Sequence, residues 1–236
     1  MTARQTARSV IRLTDDDLDR RTLTIFVTAL FCLWAAHFGV YWAPDSFTRL
    51  QEMNWWAGTQ ILFYLVVPLT VMTAVGVRPS EIGWRLRGTA SHWKVYAGIF
   101  AVAVPFVVIA SYGAEFQDRY PLYEVYPGQS GVWSDLASWW PFYLVQFVAI
   151  EAFFRGFLVL GLGRRIGSAA ILVATVPYLM IHLVKPPVEA LASIIGGLVM
   201  GTLAWRTKSI WWGVAVHVGV AVLMDVMSLG HKGFLW

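Results

Sequence analysis

The fold is decided by the stretch Val148-Ala149-Ile150-Glu151-Ala152-Phe153-Phe154-Arg155-Gly156-Phe157-Leu158. It places a carboxylate and a guanidinium four residues apart in a run that is otherwise apolar and aromatic. On an α-helix this spacing stacks Glu151 and Arg155 on one face. Long apolar flanks indicate a helix in a bilayer, where a charge costs from about 3 kcal/mol to far more. The pair therefore predicts a functional site, with a neutralised structural pair as the alternative.

The composition predicts an integral membrane protein. Hydrophobic residues make up 58% of the chain and charged residues 14%, which is outside the usual range of soluble globular domains. The polar residues before the first apolar run do not resemble a secretory signal peptide. A single cysteine, Cys32, excludes an internal disulfide framework. The chain has a net charge of +4. Membrane proteins collect Lys and Arg in their cytoplasmic loops, so this charge does not predict a nucleic-acid partner.

Apolar segments predict an all-α, multi-pass protein of about seven transmembrane helices, since each is close to the roughly twenty residues of a spanning helix. The segments are 23–42, 57–77, 92–112, 137–162, 168–184, 187–205 and 209–229. We divide the chain into a polar cytoplasmic leader (1–22), amino-terminal helices with an outside loop (23–136), a core (137–229) and a short tail (230–236).

The charged residues between the segments predict the orientation. With the amino terminus in the cytoplasm, thirteen of the eighteen Lys and Arg residues fall inside and four outside, and Arg155 lies in the membrane. The positive-inside rule therefore predicts an inside amino end and an outside carboxyl end. We expect a multi-pass protein of the cell (inner) membrane with lipid as a direct partner.

The ionisable residues within the apolar segments collect in the core. At about 1.5 Å per residue, His217, Glu151, His182 and Asp225 lie roughly 12 to 24 Å from the cytoplasmic ends of their helices. Glu189 lies farther out. Their overlapping depths predict one shared cavity that opens toward the extracytoplasmic side. The structural alternatives are an interfacial histidine at His182 and helix pairing at Asp225.

Three short motifs resemble those of one membrane family. They are Glu151-x-x-x-Arg155, Tyr178-x-x-x-His182 and His217 in the last apolar segment. Together they resemble the CAAX prenyl endopeptidase and bacteriocin-processing (CPBP) family, whose founding members are glutamate intramembrane proteases. The resemblance covers about residues 140–229 and implies a four-helix catalytic core that acts on a protein or peptide substrate.

The chain departs from the family pattern at three positions. Ile150 stands where the family has its first glutamate, the proposed general base. Tyr178 replaces a phenylalanine, and Ala221 replaces the Asn or Asp of the third motif, with Asp225 one turn farther along. Glu189, seven residues after His182, is a possible replacement carboxylate. The resemblance is therefore to a divergent branch.

The first hypothesis is a metal-independent endopeptidase without a cofactor. Peptide hydrolysis needs an activated water and a donor for the oxyanion. We assign the activation of the water to Glu151 or Glu189 together with His182. His217 would donate to the oxyanion, and Asp225 would orient His217.

Three further residues are expected to support the site. Arg155 would hold Glu151, and Tyr178 and Lys185 would support the site, although Lys185 also fits a snorkelling lysine.

A second hypothesis is a non-proteolytic scaffold or immunity-type protein. A third is a zinc enzyme that uses both core histidines and a carboxylate, which is less favoured because no His-Glu-x-x-His spacing is present. The sequence does not select a prenylated substrate over another membrane-anchored protein.

Overall fold

A computed structural model describes residues 19–235, and within them the regular secondary structure is helical, without strands. This confirms the predicted all-α class. Most of the predicted leader lies outside the described residues. The helices are α1 (Arg20–Phe38), α2 (Arg49–Ala74), α3 (Trp93–Ala110), α4 (Ala114–Arg119), α5 (Val132–Ile166), α6 (Ala169–Met180), α7 (Pro187–Thr207) and α8 (Trp211–His231). Short 3₁₀ turns lie at Gly39–Trp42, Pro79–Ile82 and Ala90–His92.

Six of the described helices are long and apolar enough to cross a membrane, namely α1, α2, α3, α5, α7 and α8. The protein is therefore an integral, multi-pass membrane protein, as predicted. The fifth apolar segment forms α6, which has 12 residues and is shorter than each of these six helices. The exact number of spans and their orientation stay predictions.

Local capping explains where the first two long helices begin. The Asp19 carboxylate accepts from the backbone N–H of Thr22 at 2.9 Å, and this satisfies one of the free donors of the first turn of α1. At the start of α2, Thr48 and Gln51 form a reciprocal capping box. The polar residues before each apolar run thus set the helix starts.

Helix α5 forms the centre of the bundle. In the most apolar 18 residues of α5, 83% are buried inside the protein, whereas in the most apolar 18 residues of α3 only 6% are buried. Helix α5 packs against α2, α6, α7 and α8, while α3 packs mainly on α8. The stretch that carries Glu151 and Arg155 is therefore surrounded by protein, as a charged pair within a membrane requires.

The middle of α5 is wider than a regular α-helix. Directly after Glu151, residues Ala152–Leu160 adopt π-helical hydrogen bonding, and all nine are buried. Gly156 in this segment allows the Pro79–Ile82 turn to approach, since a Cβ there would lie 2.5 Å from the Ile82 carbonyl oxygen. π-helical turns within α-helices are frequent at functional sites.

The loop between α3 and α5 folds back over one end of the bundle. Tyr120 in this loop is 1% exposed, and its carbonyl oxygen accepts from the hydroxyl of Ser228 on α8. Tyr123 donates to the carboxylate of Asp135 at 2.9 Å. The loop is therefore packed against α5 and α8 and covers the side chains beneath it.

Candidate active site

Glu151 and Arg155 form a buried ion pair on α5. Glu151 Oε1 lies 3.3 Å from Arg155 Nη1, and the two side chains are 1% and 3% exposed. The contact has the i, i+4 geometry that the spacing predicts. A buried pair of this kind is costly to break, because either partner alone would be an uncompensated charge.

His217 of α8 completes the group around this carboxylate. Its Nδ1 lies 3.1 Å from Glu151 Oε1, and the His217 side chain is 19% exposed. A carboxylate accepts hydrogen bonds, so the contact places the imidazole proton on Nδ1. In the neutral ring, Nε2 is then a hydrogen-bond acceptor.

A glycine on α8 makes this contact possible. A Cβ at Gly213 would lie 2.6 Å from Glu151 Oε2, which is closer than real Cβ contacts allow. Gly213 is one helical turn before His217, so the same face of α8 provides both the space and the imidazole. Glu151 Oε2 is buried without a hydrogen-bond partner among the described residues.

Tyr178 on α6 is the platform shared by the charged and imidazole groups. Its ring centroid lies 4.1 Å from the Arg155 guanidinium carbon, an approach typical of cation–π contacts. The same ring lies 4.5 Å from the ring of His182 and 6.5 Å from that of His217, between centroids. The structure thus brings Glu151, Arg155, Tyr178, His182 and His217 together.

His182 lies just after α6 and is oriented by the backbone. Its Nδ1 is 2.8 Å from the carbonyl oxygen of Tyr178. Because a carbonyl can only accept, Nδ1 of His182 carries a proton and Nε2 is the acceptor of the neutral ring. Both histidines are thus held through Nδ1 in the same tautomer.

Glu189 and Lys185 form a second cluster near the covering loop. Glu189 accepts from the Tyr120 hydroxyl at 2.7 Å and from Lys185 Nζ at 2.7 Å. Lys185 Nζ also donates to the Tyr120 oxygen at 3.2 Å. Burial, followed by the Glu189 charge, raises the pKa of Tyr120 well above its ordinary value. The Tyr120 hydroxyl therefore stays a hydrogen-bond donor to Glu189.

Asp225 lies in a third environment. Its Oδ2 accepts from the indole N–H of Trp140 at 3.0 Å, and its Oδ1 has no hydrogen-bond partner among residues 19–235. The sequence prediction assigned Asp225 to the orientation of His217, whereas the carboxylate in contact with His217 is Glu151. Ala221, at the Asn or Asp position of the third motif, is buried and apolar.

The position of the missing first glutamate is apolar in the structure as well. Ile150 is 5% exposed and belongs to the hydrophobic core. One turn earlier on α5, Gln146 is 4% exposed, and its Oε1 lacks a partner among the described residues. Sequence reasoning did not single out Gln146, Trp140, Gly213 or Tyr120, since their roles depend on contacts between distant parts of the chain.

Among the described residues, the histidines and carboxylates do not assemble into a ligand set for a metal. In the described part of the chain, no group of three or more His, Cys, Asp or Glu side chains is placed to hold an ion. The two core histidines instead use Nδ1 for a carboxylate and for a backbone carbonyl.

Comparison with known proteins supports the family resemblance over the site. Residues 132–223 match the family model described as Type II CAAX prenyl endopeptidase Rce1-like. This segment contains Glu151, Arg155, Tyr178, His182 and His217, and the match confirms the predicted resemblance to the CAAX prenyl endopeptidase (CPBP) family over these residues. A comparison with curated proteins and one with solved structures found no match.

Proposed function

We propose that this protein of the CAAX prenyl endopeptidase family is an intramembrane endopeptidase that cleaves a membrane-associated protein or peptide. The observation that carries the proposal is the Glu151–His217 hydrogen bond, next to the Tyr178 ring that His182 also contacts. It joins a buried carboxylate to an imidazole that is partly accessible, with a side-chain exposure of 19%. A carboxylate–imidazole pair of this kind can accept and return a proton.

The tautomers of the two histidines support a role for both in holding the reacting water. With Nδ1 of each ring engaged, His182 and His217 offer two Nε2 acceptors beside the Tyr178 ring. A water that donates one O–H to each nitrogen would leave its oxygen lone pair directed toward a substrate carbonyl carbon. This use of two acceptors orients the water without a further charge.

The surroundings of the two imidazoles favour His217 as the general base. When His217 accepts a proton, its new charge lies next to the Glu151 carboxylate, and a charge-assisted hydrogen bond is about twice as strong as a neutral one. A charge on His182 would have the neutral Tyr178 carbonyl at Nδ1 instead of a hydrogen-bonded carboxylate. Glu151 is thus proposed to orient and stabilise His217, and Arg155 to hold Glu151.

The hydrolysis then balances in two steps. The water oxygen bonds to the carbonyl carbon of the scissile peptide, the carbonyl π pair moves onto the carbonyl oxygen, and a proton of the water moves to His217 Nε2. The carbonyl bond then forms again while the carbon–nitrogen bond breaks, and His217 returns its proton to the leaving amine. Glu189, which contacts Tyr120 of the covering loop, and Asp225, which contacts Trp140, are proposed to shape the entrance to the site instead of touching the reacting atoms.

The location of the site favours a substrate that reaches it through the membrane. Helices α5, α6 and α8 supply its side chains, and α5 and α8 are long and apolar enough to span. We propose that the substrate is a membrane-anchored or exported protein in the cell membrane. A prenylated CAAX peptide is the first defined probe to use.

The test compares cells that express the wild-type protein with cells that express His217→Ala. Membrane-protein amino termini are identified by mass spectrometry in both. We expect new termini in the wild type that are absent in His217→Ala at equal membrane insertion, whereas His37→Ala keeps them, since His37 lies exposed near the end of α1. Identical termini in all three strains would contradict the proposal.

A second candidate is a non-proteolytic scaffold or immunity-type protein on the same fold. The observation that favours it is Ile150, a buried apolar residue where the related proteases have a glutamate. This candidate predicts that His217→Ala retains the cellular phenotype of the wild type. Loss of the phenotype together with loss of cleavage in His217→Ala would contradict the scaffold candidate.

A further inference from the structure

The proposed hydrolysis places a negative charge on the carbonyl oxygen of the substrate, and stabilising such a charge is usually the largest single contribution to catalysis. The two core histidines do not supply the donor, because their Nδ1 protons are engaged by the Glu151 carboxylate and by the Tyr178 carbonyl. Ala221, at the polar position of the third motif, has no side-chain donor. The reaction therefore needs a hydrogen-bond donor from another residue.

The two cations near the site are already paired with carboxylates of the protein. Lys185 Nζ donates to Glu189 at 2.7 Å and to the Tyr120 oxygen at 3.2 Å. Arg155 Nη1 is enclosed and lies 3.3 Å from Glu151 Oε1. Neither cation is therefore placed to give a direct hydrogen bond to a substrate carbonyl.

The Tyr178 side chain borders both imidazoles. Its ring centroid lies 4.5 Å from that of His182 and 6.5 Å from that of His217. Its hydroxyl is within electrostatic range of Glu151 in the site and of Glu189 beneath the covering loop. This places the hydroxyl in the region between the inner carboxylate and the proposed entrance. Tyr178 is 6% exposed, so part of its surface remains open.

Arg155 determines how the Tyr178 hydroxyl can be used. The guanidinium carbon lies 4.1 Å from the centre of the Tyr178 ring, and the guanidinium also approaches the hydroxyl as a hydrogen-bond donor. A guanidinium has donors only, so the phenol oxygen accepts in this contact. The O–H proton of Tyr178 is then left to donate to a different acceptor.

We propose that Tyr178 is a further catalytic residue, whose hydroxyl donates a hydrogen bond to the carbonyl oxygen of the scissile peptide. This inference rests on the proposed function. When the water oxygen bonds to the carbonyl carbon, the π pair moves onto the carbonyl oxygen, and the Tyr178 donor then faces a negative charge. Charge-assisted hydrogen bonds are about twice as strong as neutral ones. The proton stays on Tyr178, and the bond weakens again when the carbonyl forms again.

Two departures from the family pattern fit this role together. Ala221 stands where the pattern has a polar side chain, and Tyr178 adds a hydroxyl where the pattern has a phenylalanine. The added hydroxyl lies on the ring that contacts His182. The chain thus lacks one polar group of the pattern and has another beside the site.

The experiment measures cleavage of a prenylated CAAX peptide by the full-length wild type and by Tyr178→Phe. Phenylalanine keeps the ring over Arg155 and removes only the hydroxyl. We expect kcat to fall by about 10²–10³-fold, the effect of losing one oxyanion donor. KM should stay unchanged, since the bond is strong only in the transition state. An unchanged kcat in Tyr178→Phe would overturn the proposal.

Tyr64→Phe is the matched control, because Tyr64 on α2 is also a buried tyrosine that packs on Phe154. The ring centroids of Tyr64 and Tyr178 lie 5.8 Å and 5.1 Å from that of Phe154. Tyr64→Phe should keep the kcat of the wild type. A fall equal to that in Tyr178→Phe would indicate altered packing and contradict a role of the Tyr178 hydroxyl in the reaction.

A peptide with a thioamide at the scissile bond gives a readout that altered packing does not move. Sulfur is a weak hydrogen-bond acceptor, so the sulfur anion gains little from the Tyr178 donor. The ratio of amide to thioamide cleavage rates should therefore be larger in the wild type than in Tyr178→Phe. Equal ratios would contradict the hydrogen bond to the carbonyl oxygen.

Cleavage by the wild type separates this inference from the proposed function. A wild type that cleaves neither the peptide nor any membrane protein in cells would contradict the proposed function itself. A wild type that cleaves, together with a Tyr178→Phe variant of equal kcat, would overturn only the role of Tyr178.

Discussion

Glu151 on α5 and His217 on α8, 66 positions apart in the chain, share a hydrogen bond of 3.1 Å between Oε1 and Nδ1. The same carboxylate oxygen lies 3.3 Å from Arg155 Nη1. One buried oxygen thus joins a permanent cation to an imidazole that can change its charge. This shared oxygen should therefore contribute both to the stability of the bundle and to the chemistry of the site.

The first prediction concerns Glu151→Gln. The amide keeps the size of the side chain but cannot stabilise a charged His217, so we expect cleavage to fall about 10²–10⁴-fold, the range of general acid–base catalysis. The same change leaves Arg155 buried without its partner, which costs about 3–5 kcal/mol. Cleavage assays and thermal unfolding in detergent measure the two effects.

The double variant Glu151→Gln, Arg155→Met controls for stability. Removing both charges together should restore the melting temperature to that of the wild type or higher, since apolar replacement of a buried pair is often neutral or stabilising. Cleavage should stay at the low level of Glu151→Gln. Recovered cleavage in the double variant would show that Glu151 acts only in packing.

The second prediction compares the two core histidines. His217→Ala removes the proposed base and should reduce cleavage by at least about 10²-fold. His182→Ala removes a hydrogen-bond acceptor of the proposed water and should also reduce turnover. The cleavage rates of a defined prenylated or membrane-anchored peptide are measured for both variants at equal membrane insertion. Full activity in His182→Ala would limit the site to Glu151 and His217.

The third prediction concerns Gly213. Gly213→Ala places a methyl group 2.6 Å from Glu151 Oε2, so the carboxylate must move or α8 must shift. Overpacking of this kind costs about 1–3 kcal/mol, and we expect a lower melting temperature with a loss of cleavage.

Gly196→Ala is the matched control for Gly213→Ala. A Cβ at Gly196 meets no atom within 4 Å, and alanine favours the helix by about 1 kcal/mol relative to glycine. Gly196→Ala should therefore keep cleavage and leave stability equal or slightly higher. A loss of activity equal to that in Gly213→Ala would contradict a specific role for the Gly213 contact.

The fourth prediction is a pH dependence at the covering loop. Burial and the Glu189 charge raise the pKa of Tyr120 in the folded protein above the value of about 10 for a free tyrosine. A raised pKa in the folded state means that the stabilising contribution is complete below pH 10 and is lost as the pH rises further. The melting-temperature difference between the wild type and Tyr120→Phe should be constant from pH 7 to about 10 and should narrow above that. A difference that narrows below pH 9 would contradict the hydrogen bond to Glu189.

The fifth prediction concerns cofactors. The proposed reaction uses only side chains and water, so we expect purified protein to cleave its substrate equally in the presence and absence of a strong chelator. Elemental analysis of the purified protein provides the companion measurement. Inhibition by chelator with recovery on addition of zinc would favour the metalloenzyme hypothesis.

Local patterns in the sequence were sufficient for the helical architecture and for part of the site. Six of the seven predicted apolar segments form helices that are long and apolar enough to span, because a bilayer requires backbone hydrogen bonds to be closed within each segment. The spacing of Glu151 and Arg155 predicted their contact, because helix geometry stacks residues four apart. The three short motifs pointed to the family that the family model matches at residues 132–223.

Contacts between helices were decided only by the tertiary structure. Residue spacing along α8 does not reveal whether His217 faces Asp225 or a carboxylate on another helix. The close approach at Gly213 places Glu151 against His217, and Trp140 contacts Asp225 instead. A distant loop brings Tyr120 to Glu189. The sequence by itself determined which side chains lie on each helix face, through the fixed period of the backbone; their partners depend on helix rotation and packing distance, which only the assembled bundle defines.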